Sequence, residues 1–353
     1  MIDHPLYRED VRRVAGLDLP WETLRDSSIL ITGAAGMIGS FLIDVLMEKN
    51  SGEDPLHCHV LAMGRNPEKA KSRFAEYWTS PDFTFVEGDV NRPVCAPHAD
   101  FVFHAASNTH PVAYATDPIG TVTANIIGTN NLLDYAASCG ARRFVFASSN
   151  EIYGENRGDT ELFDESYCGY IDSNTLRAGY PESKRCGEAL CQAYLRQKGL
   201  DCVIARFTRS YGPSVKPDDT KAISQFIRKG VLGEDVILKS AGTQFYSYSY
   251  VSDTVSGFLT ILLLGKTGEA YNVADERSDI TLRDLAAVIA DYTGKAVVFE
   301  IPDETERAGY SRATKARLDG SKLKSLGWRA HYDIRTGLTR TITILRDLSA
   351  IQS

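Results

Sequence analysis

The sequence has no run of about 18 apolar residues, the length a helix needs to cross a bilayer, so no membrane span is expected. It has no surplus of positive charge either. A net charge of −7 over 353 residues gives no reason to expect nucleic acid or an anionic membrane as a partner. Cys-x-x-Cys pairs are missing. The seven cysteines are scattered and odd in number, which reads as reduced thiols of a cytoplasmic protein and not as a disulfide frame. His57 and His59 flank Cys58 at strand spacing, but no further ligands accompany them, so no metal is expected. Residues 1–14 carry charges throughout and have no apolar signal-peptide core. Repeats and low-complexity tracts are absent. What remains is a chain of ordinary globular composition, long enough for one large or two smaller cores.

The most informative stretch is Ser28 to Leu42. Ile29, Leu30 and Ile31 suit a buried strand, and Gly33, Gly36 and Gly39 follow at even spacing. Phe41, Leu42, Val45 and Leu46 then recur with helical period. A strand, a glycine turn and a helix in that order form a cradle for a dinucleotide pyrophosphate. Gly33 permits the tight turn, Gly36 the close approach of backbone to phosphate, and Gly39 the packing of helix on strand. Met37 and Ile38 open the helix, whose unpaired N–H groups face the phosphates.

Further strands are expected at Cys58–Met63, Phe83–Glu87, Phe101–His104, Phe144–Ser148 and Asp201–Phe207, with helices at Thr121–Cys139 and Ser183–Gln197 between them. This alternation predicts an α/β fold of Rossmann type, a doubly wound parallel sheet, with a smaller C-terminal substrate-binding lobe. Residues 1–27 form an N-terminal extension, with a short helix near Asp10–Val14, and 28–208 the dinucleotide-binding domain. The lobe comprises 209–269 and 274–353, with helices at Ala222–Leu232 and Leu282–Thr293. A strand at Ala270–Val273 rejoins the main sheet.

A carboxylate at the end of the second strand would bind the ribose of NAD. That strand ends instead in Met63-Gly64-Arg65-Asn66, where Arg65 could receive the 2′-phosphate of NADP. Asp89, after the third strand, is placed for the adenine edge. The cofactor is NAD or NADP. At the end of the fifth strand stands Ser148-Ser149-Asn150-Glu151. Tyr180-Pro181-Glu182-Ser183-Lys184 opens a later helix, putting the phenol and the amine on one face. A phenol titrates near 10 in water, and a neighbouring ammonium favours the phenolate, a better base.

With these residues the chain resembles the extended short-chain dehydrogenase/reductases of the nucleotide-sugar epimerase/dehydratase family, from about Ile29 to Trp328. Supporting matches are Thr32 to Gly39, Gly88-Asp89, His104-Ala105-Ala106-Ser107, Asn125 with Gly128-Thr129, Ser149, Tyr180 with Lys184, Arg206, Tyr211-Gly212-Pro213, Tyr250 to Asp253 and Leu326-Gly327-Trp328. The resemblance implies a nucleotide-sugar substrate, a retained dinucleotide touched also by Ala105, Ala106 and Phe207, and a homodimer. It implies that Tyr180 takes a proton from a sugar hydroxyl, usually at C4, that Lys184 supports it, and that Ser149 holds the reacting oxygen. The transient ketone can lead to epimerisation, the first expectation, or to loss of carbon dioxide or water. Glu151 is placed as a base at C5. The family's 4,6-dehydratases have Asp-Glu where this chain has Asn150-Glu151, and an amide cannot supply the proton for the leaving hydroxyl. The segment Glu165 to Lys184, with Tyr170, Arg177 and Gly179, is laid out as in the nucleotide-sugar decarboxylases. Two phosphate contacts differ: Arg209 replaces the family's Asn, and Tyr246 replaces an Arg. Arg307 matches another phosphate or base contact. An NADPH-dependent ketoreductase and a non-catalytic dinucleotide-binding module are the alternatives.

Overall fold

A computed structural model describes residues 1–109, 114, 116–216, 219–300 and 314–352. The chain opens with helix α1 (Pro5–Ala15), followed by strand β1 (Ser28–Thr32), helix α2 (Met37–Asn50), β2 (His59–Gly64), α3 (Pro67–Arg73), β3 (Phe83–Glu87) and β4 (Phe101–His104). It continues through α4 (Pro118–Cys139), β5 (Arg143–Ser149), α5 (Gly179–Lys198) and β6 (Cys202–Phe207). Together with β10, described below, β1 to β6 form a seven-stranded parallel sheet in the order β3-β2-β1-β4-β5-β6-β10.

Alternation along β1 explains the two covered faces. Ile29 and Ile31 pack with Phe41 and Leu42 of α2, while Leu30 packs on the other side with Leu132 and Leu133 of α4. α4 begins at Pro118, with the Asp117 carboxylate accepting from the Gly120 N–H at 3.0 Å, and it ends at left-handed Gly140. Strand order reverses beside β1, between the branch through β2 and the branch through β4. A doubly wound sheet opens a crevice at that point, at the carboxyl ends of its strands.

Beyond β6 come β7 (Arg209–Tyr211), α6 (Ala222–Leu232), β8 (Val236–Leu238), β9 (Phe245–Tyr250), α7 (Val251–Leu264) and β10 (Ala270–Val273). They are followed by β11 (Asp279–Thr281), α8 (Leu282–Thr293), β12 (Val297–Phe299), β13 (Lys315–Ala316), α9 (Ser321–Ser325) and α10 (Ile334–Gln352). β9 is the hub of a small second sheet, pairing with β7, β11 and β13, and β8 pairs with β12.

The N-terminal extension is stapled to the helix that follows the glycine turn. The Tyr7 hydroxyl donates to Asp44 of α2 at 2.6 Å, and Arg73 closes an ion pair on the same carboxylate. Asp10, fully buried, accepts from the hydroxyls of Tyr250 and Tyr332 at 2.7 Å each and pairs with Arg340 at 2.9 Å. α1 spans the whole of Pro5–Ala15 and not only Asp10–Val14, with polar anchors distant in sequence holding it at Tyr7 and Asp10. Among the described residues no helix is long and apolar enough to cross a membrane.

β1 and β4 are locked at their tips by a buried histidine. His104 Nδ1 lies 3.0 Å from Thr32 Oγ1, and its Nε2 lies 3.1 Å from Thr129 Oγ1. Burial holds the imidazole well below its ordinary 6.5, and the nearby Lys184 pushes the same way. The folded chain therefore keeps His104 neutral while the unfolded chain protonates it, so stability is lost as pH falls through and below 6.5. Replacing His104 with Gln should remove this slope. Relative to its own value at neutral pH, the variant should lose about 1 kcal/mol less than the parent near pH 5.5. Denaturant melts at the two pH values check it, and parallel losses in both proteins would contradict it.

Candidate active site

A cleft of about 1280 Å³ runs over the carboxyl ends of the main sheet and on to β9 of the small sheet. Its floor at one end is the glycine turn. Gly33 has φ +68°, and a Cβ there would come within 3.0 Å of the Ala105 carbonyl and the Ala106 nitrogen. A Cβ on Gly39 would sit 2.7 Å from the Gly33 oxygen. The Thr32 hydroxyl accepts from the N–H groups of Ala105 and Ala106 at 3.2 Å each, holding that loop against the turn. Gly36, Met37, Ile38, Arg65, Asp89 and Phe207 line the same cleft.

The register puts Ser149 of β5 level with Phe207 of β6, at the carboxyl ends of both strands. Tyr180 in the first turn of α5 and Lys184 one turn later both line the cleft and are almost fully buried. Lys184 Nζ donates to the Ala147 carbonyl at 2.8 Å, and burial draws its pKa down to about 7 against the pull of Glu188. The Tyr180 ring stacks on Tyr114, with centroids 4.8 Å apart and planes 25° apart. Ser149 lines the same cleft. Burial pushes the phenol above its ordinary value and Glu151 adds to the rise, while Ser149 and Arg177 pull it down. The sequence suggested a phenol lowered by an ammonium. In the folded chain desolvation is the largest influence on both groups and moves them in opposite directions, the phenol up and the amine down.

Glu151 also faces the cleft, and one nitrogen of Arg177 spans its carboxylate at 2.8 and 2.9 Å. Asn150 is buried beside it. Arg177 and Tyr114 carry no recognisable spacing to Glu151, so the sequence did not join them to it. The sequence marks Arg177 only as part of the decarboxylase-like segment Glu165 to Lys184, without a partner.

At the far end the Arg209 guanidinium lies 3.6 Å above the centre of the Tyr246 ring. A cation on β7 thus stacks on the aromatic ring that β9 presents. Arg209 Nη1 is buried without a hydrogen-bond partner among the described residues, and so are the hydroxyls of Thr208, Ser214 and Thr220. All four residues line the cleft. Orphaned buried polar atoms are uncommon, and a cleft that gathers four of them suits a polar ligand. Thr208, Ser214 and Thr220 escaped the sequence reading because single hydroxyls in loops carry no pattern. Arg307 lies outside the described residues. Among the described residues no group of three or more His, Cys, Asp or Glu could hold a metal.

A buried Tyr and Lys one helical turn apart, opening onto a glycine cradle at the switch point of a parallel sheet, define a dinucleotide-dependent enzyme. Residues 29–274 match the model of the NAD dependent epimerase/dehydratase family, and the chain belongs to that family. UDP-glucuronic acid decarboxylase 3 of Arabidopsis thaliana is 32% identical over 311 residues, covering 88% of this chain and 86% of the relative. A dTDP-glucose 4,6-dehydratase double mutant from Streptomyces venezuelae, solved with NAD bound, superposes with a TM-score of 0.77 at 25% identity, over 92% of this chain and 98% of the other. The UDP-glucose 4-epimerase of Thermotoga maritima, solved with UDP-glucose, shares the fold with a TM-score of 0.78 at 24% identity, over 91% and 99%.

Proposed function

We propose that the chain oxidises a hydroxyl of a nucleotide-linked hexuronate, at C4, to a transient ketone, and that carbon dioxide is then lost. The observation that carries the reading is the gathering of Ser149, Tyr180, Lys184 and Glu151 on one cleft, with Tyr180 and Lys184 buried one helical turn apart. A nicotinamide dinucleotide, NAD or NADP, would be cradled by Gly33, Gly36 and Gly39 and supplies the oxidant and reductant for the sugar carbon. Ser149 fixes the reacting oxygen by a hydrogen bond. Tyr180 removes its proton, and the proton's arrival and departure are eased by Lys184, whose pKa of about 7 lets it exchange protons at neutrality. Burial of both groups excludes water from the reacting atoms.

A ketone at C4 makes a C5 carboxylate a β-keto acid, which releases carbon dioxide readily. The Arabidopsis relative supports that outcome over the others. A second reading, epimerisation, rests on Glu151 as a base at C5. Loss of water is disfavoured because Asn150 offers only an amide. Incubation with UDP-glucuronate followed by weighing of the product decides between them. The decarboxylation reading expects the mass of carbon dioxide to be lost, and a new isomer of unchanged mass would overturn it in favour of epimerisation.

The lobe of 209–269 and 274–353 holds the nucleotide sugar, with Arg209 on the diphosphate in place of the family's Asn. Its orphaned Nη1 and its stacking on Tyr246 support this. Arg209→Ala should weaken binding of the nucleotide sugar by about 10- to 100-fold, measured by calorimetry, and leave dinucleotide affinity unchanged. A loss of less than about twofold in nucleotide-sugar affinity would remove Arg209 from the site. Two copies pair through α4 and α5, a reading supported by Ile119 and Ile127, which are 77% and 45% exposed on α4. A monomeric mass by light scattering would overturn the pairing.

A further inference from the structure

We infer that this chain takes NADP in preference to NAD, with Arg65 and Lys69 gripping the 2′-phosphate. The inference rests on the dinucleotide reading above and names which of the two dinucleotides it is. Thr32 at the tip of β1 pairs with Met63 of β2, so the residues that follow Met63 stand beside the glycine turn. A dinucleotide with its pyrophosphate on that turn brings its adenosine ribose to the end of β2. A second observation fixes the same end of the cleft. Asn91 Oδ1 is a buried acceptor without a partner among the described residues, and Asn91 lines the cleft, where the exocyclic amine of adenine can donate to it.

An NAD ribose needs a carboxylate at the end of β2 to accept from its hydroxyls. Here Gly64 is followed by Arg65, and Lys69 stands one helical turn further on. Among the described residues, the carboxylate lining this end of the cleft is Asp89, which follows β3. Its Oδ1 already accepts from the Asn91 N–H at 3.0 Å. The Asn66 side chain is likewise engaged, accepting from the Lys69 N–H at 2.8 Å. The side chains of Arg65 and Lys69 line the cleft and make no hydrogen bond or ion pair with any described residue. Both cations line the same cleft, where a phosphate would attract each of them. The planar fork of Arg65 suits bidentate contact with phosphate oxygens, and Lys69 supplies a second point charge.

Cofactor binding to the full chain, measured without sugar, tests the inference. Protein is unfolded in acid and the dinucleotide it releases is identified by mass. Titrations of NADPH and NADH into stripped protein follow nicotinamide fluorescence. The expected results are NADP(H) in the extract and an affinity for NADPH about 100-fold above that for NADH. Arg65→Ala should lower NADPH affinity about 30-fold while leaving NADH within about twofold, and Arg65→Asp should favour NADH. The NADPH advantage should also shrink at high salt. NAD(H) in the extract, equal affinities in the parent, or an Arg65→Ala loss shared equally by both cofactors would each overturn the inference. A protein that binds neither dinucleotide would overturn the dinucleotide reading itself, a result distinct from a preference for NADH.

Discussion

Tyr180→Phe should lower turnover by about 10³-fold, within the range that a positioned acid–base group contributes, while dinucleotide affinity stays within about twofold. The variant keeps the ring stacked on Tyr114 and removes only the phenol hydroxyl. Its fold should therefore be intact, and the defect should appear in the chemical step. The parent's activity should climb as pH rises through neutrality and beyond. The phenol must shed its proton, and burial with Glu151 nearby already sets its pKa above the ordinary value. Single-turnover kinetics with saturating sugar check the prediction. Turnover within tenfold of the parent would mean that another group carries the proton.

Arg206→Ala should cost about 3–5 kcal/mol of stability, the largest effect of any single substitution considered. Arg206 of β6 holds Glu188 of α5 through two bonds, at 3.0 and 2.8 Å, and both side chains are nearly buried. A further nitrogen donates to the Tyr153 hydroxyl at 2.9 Å and to the Glu165 carbonyl at 2.8 Å. The Ser148 hydroxyl also donates to Glu188, at 2.5 Å. Truncating Arg206 leaves the Glu188 charge buried without its main partner, one turn from Lys184. A double replacement of Arg206 and Glu188 by Met should be far milder, because neither charge is then stranded. Denaturant unfolding of the two variants checks this. A double variant no more stable than Arg206→Ala would show that the pair does more than neutralise itself.

The main sheet was legible because parallel strands covered on both faces are continuous apolar runs. Phe83–Glu87, Phe101–His104 and Ala270–Val273 stand where the sequence put them, and so do the helices Ala222–Leu232 and Leu282–Thr293. The small sheet was not assigned. β9 reads Phe-Tyr-Ser-Tyr-Ser-Tyr, an alternation that signals a half-exposed strand, yet Tyr246 to Tyr250 are all buried between elements far apart in sequence. α10 was missed as well, since its mixed polar sequence shows its buried stripe only when packed on α6 and β9. Within the cleft, local spacing brought Tyr180 to Lys184 and Gly33 to Gly39. The Glu151–Arg177 and Arg206–Glu188 pairs join residues 26 and 18 apart, and no sequence period links such partners. The direction of the Lys184 shift was also hidden, because it depends on how completely the amine is buried.

The central claim is that Tyr180 and Lys184 serve oxidation and return at a single sugar carbon. A substrate carrying deuterium at C4 tests it most directly, with rate and product label both followed. The account predicts a slowed turnover and label recovered either at C4 of the product or on the nicotinamide ring, with Tyr180→Phe forming neither. Product formed at an unslowed rate, with the C4 label never having left carbon, would contradict it.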